Sequence, residues 1–136
     1  MTIASGHVSH AEGNRTTASG DYSHAEGSNT QATGDSCHAE GYKTKASSGY
    51  SHAEGFSTIA SGTNSHAEGS NTQATNEASH AEGKGTIAAG WCQHIQGKYN
   101  IAQGDLNTEM AFIIGNGTSD QNRSNAFAVD WNGNIY

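Results

Sequence analysis

A histidine recurs every fourteen residues along this chain. His10, His24, His38, His52, His66, His80 and His94 keep that interval without a slip. Six of them are followed by Ala and then by Glu12, Glu26, Glu40, Glu54, Glu68 and Glu82, with Gln96 in the corresponding place behind His94. Each histidine has a glycine three residues on, from Gly13 to Gly97. A fixed short period makes each repeat one structural unit stacked on its neighbours, which predicts a solenoid.

Aligned on this period, the unit has two halves. The first is Ser-His-Ala-Glu-Gly, as in Ser23 to Gly27, and the second is Thr-x-Ala-x-Gly, as in Thr30 to Gly34. Both alternate with period two, the signature of a strand. Tight connections such as Asn14-Arg15 and Asp21-Tyr22 leave no room for a helix. Ser, Ala and Gly share one face of the first strand; Thr, Ala and Gly share one face of the second. Those faces hold only small side chains and are assigned to the inside of a narrow roll. Ala4, Ala18, Ala32, Ala46, Ala60, Ala74, Ala88 and Ala102 never vary, while the residue before each runs Ile, Thr, Gln, Lys, Ile, Gln, Ile, Ile. A column that accepts Lys45 and Ile59 alike is a solvent face. Glycine at the strand ends is expected to permit the turns without a Cβ clash. Ser48 and Asn76 replace the second such glycine; Asn tolerates the left-handed region, and near Ser48 the glycine has moved to Gly49.

Composition alone points the other way. With 32% hydrophobic residues and a net charge of -7, the 136-residue chain has little apolar surface to offset its entropy. Stacked rungs reverse that argument, because they satisfy the backbone between rungs and need only a thin interior. A single thin roll is still marginal, so oligomerisation is the expected route to stability. No basic stripe is present to replace phosphate counterions, which argues against nucleic acid. No stretch approaches the roughly 20 apolar residues of a membrane helix, so membrane insertion is not expected, and no signal peptide is visible. Thr2 to Gly6 already match the second half-unit, so the sequence reads as a piece of a longer chain. Cys37 occupies a Ser slot and Cys92 precedes the equivalent slot four rungs later. At about 4.8 Å per rung they stand roughly 19 Å apart, beyond disulfide reach, and both are expected to be free thiols behaving as small apolar residues.

Histidine and glutamate point out of the roll from the first strand, on one face. Solvent does not demand such sameness, whereas a partner chain on a symmetry axis does. The columns His10, Glu12, His24, Glu26, His38, Glu40, His52, Glu54, His66, Glu68, His80, Glu82, His94 and Gln96 are therefore assigned to the axis of a cyclic homotrimer. Carboxylates stacked about 4.8 Å apart repel, and a histidine from a neighbouring chain is the available donor. Acid is then expected to loosen the trimer by protonating carboxylates, and alkali by removing any imidazolium. Three histidines around a threefold axis also match a metal site in number. The Glu layers supply an internal partner for each, so no metal ligand is assigned; an ion would favour the Gln96 end. His7 lies off the period and is expected in solvent. Tyr22, Tyr50, Phe56 and Trp91 fall at the roll's edges, where packing between chains or stacking on sugars suits them.

The run Ala18-Ser-Gly20-Asp-Tyr-Ser23-His-Ala25-Glu-Gly27 resembles the head repeats of trimeric autotransporter adhesins of the YadA-like type, over residues 1–104. That resemblance implies trimers of left-handed parallel β-rolls; the family usually places apolar residues where this chain has His and Glu. Past Gly104 the period breaks at Asp105 to Glu109 and the most apolar run, Met110 to Gly115, begins. The tail from Gly115 to Asn134 looks like a segment of phage tail fibres and preneck-appendage-like proteins. There it precedes a self-cleaving chaperone domain of the peptidase G2 type, and no proteolytic residue carries over to this chain. Phe127, Val129 and Trp131 alternate as in a strand, and Asp130 to Gly133 reads as a hairpin turn.

The expected fold is thus all-β: a left-handed parallel β-roll solenoid over 1–104, an intertwined or side-by-side homotrimer, with a small β cap over 105–136 closing the last rung. The expected function is structural and adhesive, as a module of a trimeric phage or prophage tail fibre or appendage. It would bind a glycan or protein receptor on a bacterial surface, and would sit on the virion tail or outside the cell. The alternative is the head of a bacterial trimeric surface adhesin; a chaperone domain downstream marks the first, a coiled-coil stalk and membrane anchor the second. A polysaccharide-degrading tailspike needs two carboxyls in different surroundings, whereas these six glutamates share one. No catalytic residue and no cofactor are expected.

Overall fold

Each half-unit folds as a strand, and like half-units stack on like. The computed structural model describes residues 1–102 and 110–136. Its Thr-x-Ala halves form β1 (Ile3–Ala4), β3 (Thr17–Ala18), β5 (Gln31–Ala32), β7 (Lys45–Ala46), β9 (Ile59–Ala60), β11 (Gln73–Ala74) and β13 (Ile87–Ala88). The His-Ala-Glu halves form β2 (His10–Asn14), β4 (His24–Ser28), β6 (His38–Tyr42), β8 (His52–Phe56), β10 (His66–Ala67), β12 (His80–Ala81) and β14 (His94–Lys98). The first set is a seven-stranded parallel sheet. The second continues through β15 (Met110–Asn116), also parallel, to the antiparallel β16 (Asn125–Asp130). Equivalent residues face one another: His24 and His38, Glu26 and Glu40, Ala32 and Ala46. Among the described residues the fold is an all-β solenoid with fourteen-residue rungs, as the period predicts.

Backbone hydrogen bonds run in both directions along the stack. Strand N–H groups donate to the following rung, as from His10 to the Ser23 carbonyl at 2.9 Å and from Thr17 to Thr30 at 3.0 Å. Turn N–H groups donate to the preceding rung, as from Tyr22 to His7 and from Asn29 to Asn14, both at 2.8 Å. The interior is the predicted one. Ala18, Ala25, Ala32, Ala39, Ala46 and their successors are fully buried, beside the Thr column and the Ser column. Ser hydroxyls close the turns by donating three residues back, as from Ser23 to the Gly20 carbonyl at 2.6 Å. Cys37 and Cys92 are free; burial pushes the Cys37 thiol up, so it stays protonated among apolar neighbours.

The turns correct one expectation. Neither Asn76 nor Gly49 is left-handed; the left-handed residue of that turn lies further on, at Tyr22, Ser36, Tyr50, Asn64, Ala78 and Cys92. What demands glycine at Gly20 is proximity, since a Cβ there would sit 1.9 Å from the Gly34 carbonyl oxygen. Ser48 and Asn76 break this column and turn polar atoms onto the next rung. Ser48 Oγ lies 3.0 Å from Thr63 Oγ1, and Asn76 Nδ2 donates to the Ala89 carbonyl at 3.1 Å. The other glycine column needs both properties: Gly27 has φ +107° and its Cβ would meet the Gly41 oxygen at 2.1 Å.

At the C-terminal end side chains replace peptide groups. Asn100, in the Thr column, accepts from the Ile87 N–H at 2.8 Å and donates to the Ile87 carbonyl at 3.0 Å, standing in for a strand. Gln93, in the Ser column, accepts from the Ala89 and Gly90 N–H groups and donates to the Met110 carbonyl. Arg123 reaches the carbonyls of Gly85 and Asn100. β15 restores the register, pairing Phe112 with His94 and Ile113 with Ile95, and both isoleucines are fully buried. The expected loss of register at Asp105 to Glu109 lies outside the described residues. The predicted hairpin turn is present: Gly133 N–H donates to Asp130 at 3.1 Å, and Ala128 and Tyr136 exchange both backbone bonds. The Asn134 side chain, then backbone N–H groups, hold the Asp130 carboxyl below the usual carboxylate range. Trp131 falls in the turn, outside β16, and is exposed.

Candidate functional site

Period-two alternation places each His and Glu of a rung on the outer face of the nine-stranded sheet, because the Ala between them points inward. Parallel in-register pairing then brings like side chains together. Imidazoles from His24 to His80 form a continuous stack, with successive centroids 4.7–4.8 Å apart and ring planes within 11°. The ends depart from it: His10 meets His24 edge-on, and His94 tilts 38° from His80. Phe112 continues the column past His94 and Phe127 covers Phe112, both in edge contacts.

Each of the six carboxylates lies within 3.7 Å of an imidazole of its own chain. In the first rungs the pairing stays within a strand: His10–Glu12 at 3.4 Å, His24–Glu26 at 3.6 Å and His38–Glu40 at 3.6 Å. Further along it crosses to the next rung: Glu54–His66 at 3.4 Å, Glu68–His80 at 3.2 Å and Glu82–His94 at 3.7 Å. His52 stands at the changeover. Its Nε2 is buried, makes no hydrogen bond, and has neither flanking carboxylate as its ion-pair partner. Only His10–Glu12 and His80–Glu68 have hydrogen-bond geometry; the buried Nε2 atoms of His24, His38, His66 and His94 lie near carboxylates without bonding to them. Gln96 lies on the same face, half-buried and paired in register with Ile114.

Burial, then the charge of neighbouring imidazoles, pushes His38 and His52 below the ordinary value of 6.5. These two rings are neutral at neutral pH, so they carry no imidazolium for alkali to remove. The alkaline half of the sequence-based expectation therefore does not apply to them. Three groups bring three ligand atoms within 4.8 Å of one another: His52, Glu54 and His66; His66, Glu68 and His80; Glu26, His38 and Glu40. Among the described residues these groups lie in the middle of the ladder, not at the Gln96 end that an ion, if present, was expected to favour.

Sequence reading missed Phe112, Gln93, Asn100 and Arg123. The signal for Phe112 was available, since Phe-Ile-Ile-Gly repeats the outward-inward-outward-glycine order of His-Ala-Glu-Gly. Tyr22, Tyr50, Phe56 and Trp91 are exposed at the edges, as expected. Phe56 stacks on Tyr42 with centroids 5.3 Å apart, and Trp91 lies 6.2 Å from Trp131. His7 is exposed and edge-on to Tyr22. Comparison of the chain with protein-family models, with curated proteins and with solved structures found no match.

Proposed function

We propose that this chain is a rigid structural and adhesive module of a trimeric fibre, a left-handed roll whose His/Glu sheet faces the trimer axis. The observation that carries this reading is the ladder. Through rung after rung it offers one half-buried, chemically constant strip, a surface that a second and third copy can meet in register. The opposite sheet presents Gln31, Lys45 and Gln73 in the equivalent places, which suits water. The tail resemblance favours a phage or prophage appendage that holds a bacterial surface glycan or protein. The head of a bacterial surface adhesin uses the same module and is the second reading, on the strength of the repeat resemblance. Against a hydrolase stands the equivalence of the glutamates, since hydrolysis needs an acid and a base in unlike surroundings.

Light scattering at neutral pH tests the assembly. A mass near three times 14.1 kDa is expected, and a monomer would remove the fibre reading. Binding of the trimer to whole bacteria and to isolated surface polysaccharide tests adhesion. Retention without shortening of the polysaccharide is the expected result, and shortening would restore the tailspike.

A further inference from the structure

Between each His-Ala-Glu strand and the Thr-x-Ala strand after it, the chain turns along one long edge of the roll. Arg15, Lys43, Lys84 and Lys98 stand on that edge, and no Asp or Glu occupies its turns at residues 14–15, 28–29, 42–43, 56–57, 70–71, 84–85 and 98–99. The turns of the opposite edge carry Asp21, Asp35 and Glu77 and neither Lys nor Arg. Parallel pairing draws one line of the first edge into register, from Tyr42 through Phe56, Ser70 and Lys84 to Lys98. On the adhesive reading of the fibre, we propose that this line holds the receptor glycan and that the glycan is an acidic polysaccharide. One sugar ring lies on Phe56 above Ser70, and a carboxylate of the glycan sits between Lys84 and Lys98.

The lysines ask for an anion. Lys84 and Lys98 are exposed in adjacent rungs about 4.8 Å apart, and neither has an ion-pair partner among the described residues. Like charges so placed repel, and an anion between them relieves both. The nearest acidic column does not supply it: Glu82 pairs with His94, and in the rung of Lys98 the Glu position is Gln96. The ring asks for a flat, partly apolar ligand. One face of Phe56 stacks on Tyr42 at 5.3 Å and 16°, which turns the other toward Ser70. Ser70 is small and its hydroxyl accepts from the Asn71 amide at 3.1 Å, so nothing bulky covers that face, and Phe56 is 49% exposed. Phe56 and Lys84 stand two rungs apart, roughly 10 Å, a notch that a stacked sugar fills in part and the flexible lysine stems close. An aromatic face beside hydroxyl, amide and cation matches a sugar's C–H face and polar rim.

Other polyanions fit less well. A polyol phosphate offers no ring to Phe56. Nucleic acid carries far denser charge, one phosphate per about 1.7 Å of duplex, than a row with a cation only at some rungs can neutralise.

Retention of the intact chain on immobilised hyaluronate, which alternates acidic and neutral sugars, tests this against neutral dextran and oligothymidylate. Binding to hyaluronate alone is expected, weakening as added salt screens the lysines. Lys84→Ser with Lys98→Ser should weaken it about tenfold or more, and Phe56→Ser several-fold. Serine already fills this line at Ser28 and Ser70, so these variants keep the roll. Lys45→Gln, on the other sheet, should leave binding unchanged. Equal retention of native and variant chains, no retention on hyaluronate, or preference for dextran or oligothymidylate would overturn the edge. Whole bacteria separate the two readings: if they hold the Lys and Phe variants as well as the native chain, the edge alone is lost, and if they hold neither, adhesion is lost with it.

Discussion

The two outer faces of the roll are built on the same interior and behave in opposite ways. Both sheets bury an Ala column, Ala18 to Ala88 in one and Ala25 to Ala81 in the other. Outward, the His-Ala-Glu sheet repeats its side chains through almost every rung, while the Thr-x-Ala sheet runs through Thr17, Gln31, Lys45, Ile59, Gln73 and Ile87. Folding of the backbone cannot be the cause, because it asks the same of both. In a parallel in-register stack each residue has its own copies as neighbours. A flat ring profits from that arrangement, since imidazole stacks on imidazole. A Lys column would place like charges about 4.8 Å apart, and variety is the better solution there. Part of the constancy of the His/Glu face is thus internal to the chain.

The largest effect should fall on what both faces share. Gly27→Val forces a side chain into the Gly41 carbonyl at a left-handed residue, and a loss of about 4 kcal/mol or more, or no cooperative thermal melt, is expected. Next comes His52→Ala, which opens a gap in the stack and should cost about 1 kcal/mol by chemical denaturation. Acidification should act on the same face. His38 and His52 hold fewer protons when folded than when unfolded, so stability is complete above the ordinary value of 6.5 and declines as pH falls below it. The melting temperature should drop on that side, and His38→Gln with His52→Gln should flatten the slope. The smallest effect belongs to the other face: Lys45→Ala should change stability by less than about 0.5 kcal/mol. Equal losses from His52→Ala and Lys45→Ala would erase the distinction between the faces.

Much of this was legible in the sequence. Strand order, register and the Ala, Ser and Thr interior all follow from one interval, because a repeat fixes every rung once it fixes one. The turns were less legible. Glycine marked close approach at Gly20, not a left-handed backbone, while Ala78 adopts φ 52° with no propensity to announce it. Its N–H bonds to Thr63 in the rung before, and that tertiary bond overrides local preference. The pairing pattern on the candidate site was also hidden. Spacing put His and Glu on one face but could not say that partners change rungs at His52, a choice made by side-chain rotamers. Asn100 and Gln93 break the Thr and Ser columns, and what they do there shows only in their hydrogen bonds to Ile87 and to Met110.

Those amides have a consequence for growth. Rolls can concatenate into an endless filament only if each end accepts the other, as in heterologous association. At the C-terminal end of the rungs the Asn100 amide occupies the Ile87 peptide groups, Arg123 occupies two carbonyls, and the short Tyr136 bridge lies along β16. Those groups are taken, so edge pairing through them is blocked before it can run on into cross-β aggregate.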